Sequence, residues 1–477
     1  MGTTVKTPTY GLFINGEWRE KANTFDVLNK YNNEVIARAS YANEQDVTDA
    51  VKAAKDSLKT VFPPYARYEI LKRVAEELIK RKQEIGEILA EEVGKPIAEA
   101  IGEVERAAQT LEISAEESKR IHGQGIPVEA APGSENRQAF TKRVPVGVVA
   151  AITPFNVPLN LICHKVGPAL AAGNSVVLKP AKVTSVSAII LTEIFEEVGL
   201  PSGRLNLVTG NGSETGEWLL KNQDVNMYTF TGSPSVGKLI REKAGLRKVA
   251  LELGSNSATI VHKDANIEQA ATLTAQKSFN NAGQVCISVQ RVYIHKNIFE
   301  EFMNKMKAVT NSLVVGDPKD PSTNIGPMIS EKEAIRVEQW VNEAVSQGAK
   351  VETGGYREGV FYKPTILSNV TDDMNICRQE IFGPVVTVDT YSDEDEVIDR
   401  VNDSDFGLQA GLFTNSLAFA MKAANLIEVG GLIINDTSGY RVDQMPYGGV
   451  KQSGTGKEGP KYAIEEMTEE RIIVLNL

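Results

Sequence analysis

The chain is poor in the residues that staple, coordinate or span. Of 477 residues only three are Cys and four are His. Three thiols cannot build a disulfide framework, and no Cys/His spacing of the metal-binding kind occurs, so neither a disulfide scaffold nor a zinc module fits. No apolar run approaches the ~18 residues of a membrane helix. Positive charge is in deficit: 51 Lys+Arg against 62 Asp+Glu leave a net −11. Such an acidic balance argues against nucleic acid as the main partner, because phosphate binding needs a basic face. Repeats and low-complexity tracts are missing too. The polar start, Met1–Tyr10, lacks the apolar core of a signal peptide, which together with the sparse cysteine predicts a cytoplasmic protein without a membrane partner.

What is present is a large core. Hydrophobic residues make up 42% and charged residues 24%, too apolar for disorder, and at roughly 150 residues per domain the length predicts two or three domains. From Ile70 to Leu89 apolar residues recur at helical spacing (Leu71, Val74, Leu78, Ile85, Ile88, Leu89), the stripe of a core-facing helix. Val146–Ile152 is short, branched and continuously apolar, as a strand buried on both faces should be. Further strands are predicted at Ser175–Leu178, Leu205–Val208, Met227–Phe230 and Thr259–Val261, with helical patterns such as Ser187–Glu197 between them. This alternation reads as an α/β fold with a doubly wound parallel sheet. Two segments have no local partner: Gly123–Lys142, which reads as a loop or a hairpin arm, and the β-prone end Arg471–Leu477, which must pair with that arm or with another chain.

Two glycine patterns need weighing. Gly232-Ser233-Pro234-Ser235-Val236-Gly237-Lys238 follows a predicted strand like a phosphate-binding loop, but Leu239 stands where the metal-binding hydroxyl belongs. The glycine turn before a helix still suits a pyrophosphate, with Ser233 as a donor. Gly454-x-Gly456-x-x-Gly459 spells a dinucleotide fingerprint, yet no apolar strand precedes it and only 18 residues follow (477 − 459). It is read as a flexible, functionally placed loop over Tyr447–Gly459.

The odd cysteine count asks which thiol does chemistry. Cys286 ends the small, uncrowded turn Phe279-Asn280-Asn281-Ala282-Gly283-Gln284-Val285-Cys286, just before a strand expected at Gln290–Ile294. That setting suits a nucleophile, although a free cysteine is more often a buried small hydrophobe. Cys163 and Cys377 lack it and read as packing residues. None of the four histidines stands in a cysteine-protease signature. Glu252, in Ala250-Leu251-Glu252-Leu253-Gly254, is the alternative base: apolar neighbours would raise its pKa, unless it is an exposed strand end.

Glu252-Leu253-Gly254 and Gly283-Gln284-Val285-Cys286, 34 residues apart (286 − 252), resemble the NAD(P)-dependent aldehyde dehydrogenase superfamily. Pro154-Phe155-Asn156, Lys179-Pro180-Ala181, Phe230-Thr231-Gly232-Ser233, Glu380-Ile381-Phe382-Gly383-Pro384 and Pro446-Tyr447-Gly448-Gly449 match in order, from about Phe13 to the C-terminus. The resemblance implies a Cys286 thiolate attacking an aldehyde, an oxyanion held by the Cys286 N–H and Asn156, hydride loss to the nicotinamide, and Glu252 activating water to hydrolyse the thioester. It places Lys179, Gly232, Ser233, Leu253, Glu380 and Phe382 at the cofactor, and aligns Glu458 with a glutamate of proton relay. It also implies a Rossmann-type cofactor domain (1–122 and 143–253), a catalytic domain (254–445) and an oligomerisation arm (123–142 and 463–477) that builds homodimers or homotetramers.

Departures from the family pattern sharpen the reading. Phe155 replaces a frequent Trp, and Ser255 a frequent Gly. Lys182 stands where NAD-preferring members carry a Glu, so NADP is expected to be accepted and preferred over NAD. By alignment, Leu161, His164 and Arg441 face the aldehyde funnel, and two cationic groups there predict a small, polar, anionic substrate of the lactaldehyde, glyceraldehyde 3-phosphate, succinic semialdehyde or sulfolactaldehyde type. Arg441 could instead face solvent or pair with Asp443. A CoA-acylating relative and a catalytically silent structural relative are the rival readings; the presence of Glu252 and Cys286 disfavours both.

Overall fold

The computed structural model describes residues 7–477, so the first six residues of the polar start lie outside it. Two sheets carry the architecture. The first runs, in spatial order, Gly454–Thr455, Lys248–Glu252, Met227–Thr231, Val148–Ile152, Ser175–Lys179, Leu205–Leu207, Leu12–Ile14 and Glu17–Arg19. Its five central strands are parallel, and antiparallel strands close both ends. The run predicted to be buried on both faces is so: Val148–Ile152 is buried throughout, covered by helices that include Pro158–Ala172 and Val186–Glu197.

The chain builds this sheet outward from Val148–Ile152 in one direction, then returns to build Met227–Thr231 and Lys248–Glu252 on the other side. The strand order reverses there, and a ligand crevice opens beyond the carboxyl ends of such strands. Asn156, Lys179, Gly232 and Glu252 all stand at the carboxyl ends of neighbouring parallel strands.

The second sheet has the order Lys350–Thr353, Thr365–Ser368, Val385–Tyr391, Arg291–His295, Ala258–Val261, Gln409–Phe413 and Gly431–Ile434, parallel except at its first strand. Thr259–Val261 therefore belongs to this sheet and not to the first. The helical stripe Ile70–Leu89 is two helices, Pro64–Lys80 and Lys82–Val93, broken at Arg81. Leu71, Val74 and Leu78 are buried from one helix, Ile85 and Leu89 from the next, so periodicity survived a break that it cannot register.

The segment without a local partner is a hairpin arm. Strand Arg137–Pro145 pairs with Gly125–Ile126 on one side and, over nine residues, with Thr468–Asn476 on the other, all antiparallel. The C-terminal strand thus starts at Thr468, before the predicted Arg471, and Pro460–Glu466 ahead of it is a helix that packs on Pro158–Ala172. Tyr447–Gly459 is not a free loop. Val450–Lys451 and Gly454–Thr455 each pair with another strand, and Tyr447 exchanges backbone hydrogen bonds with Glu458.

Candidate active site

Helix Ile267–Phe279 ends in a tight turn in which Asn281, Ala282 and Gly283 all adopt left-handed backbone (φ 49°, 54° and 70°). A Cβ on Gly283 would sit 2.1 Å from the Gly383 carbonyl oxygen, so glycine is required there. The turn holds Gln284, whose side chain donates to the Asn281 carbonyl and accepts from the Ile329 N–H. Cys286 follows, half-buried, in the wall of a cavity of about 1140 Å³ that also takes in Asn156, Leu161, Arg106, Arg441 and Tyr447. Its Sγ is hydrogen-bonded to the Tyr447 hydroxyl at 2.9 Å. Burial pushes the thiol up to about 11, against the opposing Tyr447 hydrogen bond and Arg441. Cys163 and Cys377 are buried.

Asn156 begins the turn before helix Pro158–Ala172. Its Nδ2 donates to the Gln284 carbonyl at 2.8 Å, and its own carbonyl accepts from Asn281 Nδ2 at 3.1 Å. The two loops are thereby tied to each other, two residues from Cys286. The helix N-terminus is held in turn by Glu103, whose Oε1 accepts from the Leu159 and Asn160 N–H groups while Oε2 pairs with Lys95.

Glu252 ends its strand 4% exposed, not as a solvent-facing residue. Burial raises its carboxyl well above the ordinary range, and the nearby Glu458 carboxylate raises it further. Glu458 itself is held below that range by Lys165 and Arg441, at 3.1 and 2.9 Å.

Arg441 neither points to solvent nor pairs with Asp443. It lines the cavity beside Cys286, lies over the Tyr447 ring at 3.7 Å and donates to Glu458. Leu161 also lines the cavity. His164 does not: it is buried behind Arg441, with Nε2 2.9 Å from Asp443 Oδ1. Desolvation and the Arg441 charge lower its pKa, so of the two cations expected at the funnel only Arg441 is there; His164 is not. The longer side chain of Arg441 reaches the cavity, and the ring packs underneath. Arg106, overlooked in the sequence, lines the wall and donates to both carboxylate oxygens of Asp443 at 3.1 and 2.8 Å. Its only sequence signal was a cation on an otherwise ordinary amphipathic helix.

A cradle for a dinucleotide lies at the other side of Glu252. A Cβ on Gly254 would fall 2.3 Å from Glu380 Oε2, and one on Gly237 2.5 Å from the Leu253 side chain. Glu380 Oε1 accepts from the Ser255 N–H at 3.0 Å, and burial raises its carboxyl to about 7. Phe382 stands edge-on to Phe155, ring centres 5.8 Å apart. Gly232 and the N-cap Ser233 open helix Pro234–Ala244. Lys179, brought down to about 8 by burial, points along the carboxyl edge of the sheet toward Gly212. Lys182 donates to the Tyr41 hydroxyl at 2.6 Å and lies over the Phe25 and Tyr41 rings. Close backbone approaches, a helix N-terminus and two lysines at a sheet switch point fit a nicotinamide dinucleotide.

Among the described residues no cluster of His, Cys, Asp and Glu could hold a metal ion, and no helix is long and apolar enough to cross a membrane.

The chain is 68% identical over 477 residues, the whole of both proteins, to the 3-sulfolactaldehyde dehydrogenase of Priestia aryabhattai. Its fold matches the crystal structure of aldehyde dehydrogenase 21 from Physcomitrella patens in complex with the reaction product succinate, with a TM-score of 0.96, 38% identity and 99% of each chain covered. A TM-score of 0.96 at 35% identity, covering 98% of this chain and 99% of the other, relates it to the NADP-dependent glyceraldehyde-3-phosphate dehydrogenase of Bacillus halodurans complexed with NADP. The aldehyde dehydrogenase family pattern spans residues 18–473. With the thiol, the asparagine and the buried carboxylate gathered at one crevice of this fold, the chain belongs to the aldehyde dehydrogenase family, enzymes that oxidise aldehydes with NAD(P).

Proposed function

We propose that this enzyme oxidises a small aldehyde carrying a sulfonate or carboxylate, of the 3-sulfolactaldehyde kind, to the acid, with NADP preferred. The observation that carries the substrate class is the charge balance around Arg441. Lys165, Arg441 and Arg106 face Glu458 and Asp443, three cations against two carboxylates, while Glu252 and His164 favour their neutral forms. An anion entering the cavity supplies the missing charge, and Arg441 offers it a charge-assisted hydrogen bond. The 68% identical relative bears the name of such a substrate.

In this reading Cys286 attacks the carbonyl, and the oxyanion is met by its own N–H and the Asn156 amide, whose second N–H is not taken by Gln284. A nicotinamide dinucleotide held in the cradle would supply the hydride acceptor. Leu253, Glu380, Phe382, Gly232, Ser233 and Lys179 position the cofactor. Glu252 takes a proton from water as that water attacks the thioester; this favours release of the free acid over transfer to CoA. Lys182 favours NADP because a cation beside a 2′-phosphate gains charge-assisted hydrogen bonds that a ribose hydroxyl cannot match. Residues 7–122 and 143–253 form the cofactor domain and 254–445 the catalytic domain; the arm joins copies of the chain. Three free thiols suit a reducing, cytoplasmic setting.

The test is a matrix of kcat/KM values: 3-sulfolactaldehyde, succinic semialdehyde and propanal, each with NADP and NAD, for the wild type and Arg441→Ala. The variant should lose roughly 10–100-fold more on the anionic aldehydes than on propanal, the value of a hydrogen bond to a charged group. An equal loss on all three removes Arg441 from substrate recognition, and an NAD preference removes the cofactor reading.

A further inference from the structure

The Cys286 sulfur makes one side-chain hydrogen bond, to a tyrosine that is itself pinned in place. Tyr447 is 3% exposed. Its hydroxyl lies 2.9 Å from Sγ, its only hydrogen-bond partner among the described residues. A buried O–H that donates nowhere is costly, and the sulfur is the acceptor within reach, so the hydrogen points at Sγ. Burial and the neighbouring Cys286 raise the phenol well above its ordinary range. The tyrosine therefore keeps its proton when the sulfur ionises.

The ring cannot swing away. The Tyr447 N–H donates to the Glu458 carbonyl at 3.1 Å, and the Glu458 N–H donates to the Tyr447 carbonyl at 2.6 Å. The side chain packs with Ile287 and Leu408. On its face lies the Arg441 guanidinium, 3.7 Å from the ring centre and held there by Glu458 Oε2 at 2.9 Å. Glu458 thus fixes the tyrosine through its backbone and the arginine through its carboxylate. A cation on the face of a phenol draws charge from the ring and makes the O–H a better donor. Burial strengthens the hydrogen bond further. Around the sulfur the influences divide: burial, Glu380 and Glu252 oppose the thiolate, while Tyr447 and Arg441 favour it.

We propose that Tyr447 is a catalytic residue whose hydroxyl donates to the Cys286 sulfur whenever that sulfur carries charge, before it attacks the aldehyde and again as it leaves the thioester. The inference rests on the reading of Cys286 as nucleophile. The thiol first gives its proton to solvent water. The sulfur electron pair then forms the carbon–sulfur bond, and the carbonyl pair moves onto oxygen, where the Cys286 N–H and Asn156 meet it. Hydride loss and water attack follow as described above. When the carbon–sulfur bond breaks, its electron pair returns to sulfur and the same O–H meets it. The Tyr447 O–H bond stays intact throughout, so no proton is left on the tyrosine between turnovers. A charged sulfur is a strong acceptor and a thioester sulfur a weak one. The hydroxyl therefore raises the thiolate population and favours departure of the sulfur more than it stabilises the acyl enzyme.

The test is Tyr447→Phe in the whole enzyme, which keeps a ring beneath Arg441 and removes only the hydroxyl; circular dichroism and NADP binding check the fold. The pH dependence of Cys286 alkylation by iodoacetamide, followed on the Cys286 peptide by mass spectrometry, gives the thiol midpoint. It should move up by about one pH unit, the worth of a hydrogen bond to a charged group. Replacing Tyr447 by a fluorotyrosine, a stronger donor, should move it down. With saturating NADP and propanal, the stopped-flow burst of NADPH in Tyr447→Phe should be about 3–10-fold slower near neutrality, because the thiolate is scarcer but more nucleophilic. The burst should recover toward wild type as pH rises. The same factor is expected with 3-sulfolactaldehyde, unlike the selective loss in Arg441→Ala. An unmoved midpoint, or fluorotyrosine and phenylalanine shifting it the same way, overturns the proposal. So does a loss confined to the anionic aldehyde, which would make Tyr447 a substrate ligand. Cys286→Ala separates the two readings. If it forms NADPH like wild type, the nucleophile assignment fails; if it is inert and Tyr447→Phe titrates like wild type, only the present inference fails.

Discussion

At the residue scale the site works by setting carboxylates against one another. Glu252 and Glu458 are both buried, yet burial dominates one and ion pairing the other. Lys165 and Arg441 hold Glu458 ionised, and its charge then disfavours a second carboxylate at Glu252. A base with a raised pKa is inactive below that pKa, so hydrolysis should rise with pH through a midpoint above the ordinary carboxylate range. Glu458→Gln removes the repelling charge and leaves Lys165 and Arg441 to stabilise an ionised Glu252. The acid limb of the kcat–pH profile should therefore move to lower pH; an unmoved limb would mean that another group titrates there. The Cys286 thiol, pushed up to about 11, stays protonated near neutrality until a base or bound cofactor changes its surroundings.

At the scale of elements, three left-handed residues in succession bring Gln284, two residues before Cys286, against Asn156. Gly283 carries the tightest contact, packed on the Gly383–Pro384 backbone. Gly283→Ala adds a Cβ at φ 70° and a clash with a carbonyl that cannot rotate away. We expect a loss of about 2–4 kcal/mol in stability, from backbone strain and overpacking together, measurable by urea denaturation. Activity should fall even where the protein stays folded, because the Asn156–Gln284 hydrogen bond depends on this turn. Helix Pro158–Ala172 presents Leu161, His164 and Lys165 on one face, as the i, i+3, i+4 spacing dictates; Leu161 lines the cavity while His164 and Lys165 reach Asp443 and Glu458, and every residue of the helix is buried.

At the scale of the molecule, the arm is an unfinished sheet. Strand Thr468–Asn476 is its outer edge, and Phe140, Ile472 and Val474 are 42%, 52% and 50% exposed. A nine-residue edge with apolar side chains is a pairing surface unless something covers it. In the proposed assembly through the arm, the double substitution Ile472→Asp and Val474→Asp should lower the mass in light scattering while leaving the monomer folded. An unchanged mass would remove the arm as the joining surface.

Much of this was legible along the chain. Strands at Ser175, Leu205 and Met227 announce themselves because a parallel strand covered on both faces must be continuously apolar, and Cys286 and Glu252 stand in short motifs that do not depend on distant residues. The break at Arg81 was not legible, since the apolar stripe continues across it. Nor was the fate of His164 and Arg441. Alignment placed both at the funnel, but which of them faces the substrate depends on Asp443, Glu458 and Tyr447, 279, 294 and 283 residues from His164 along the chain (443 − 164, 458 − 164, 447 − 164). The sequence by itself determined the α/β class and the family, because local patterning and contiguous motifs encode them, and those motifs are what single out Cys286 and Glu252 for the proposed roles. Only the tertiary structure decided the burial of Glu252 and His164 and the ion-pair partners of Glu458 and Asp443. Those arise from desolvation and from side chains brought together across hundreds of residues, and no window of sequence contains them.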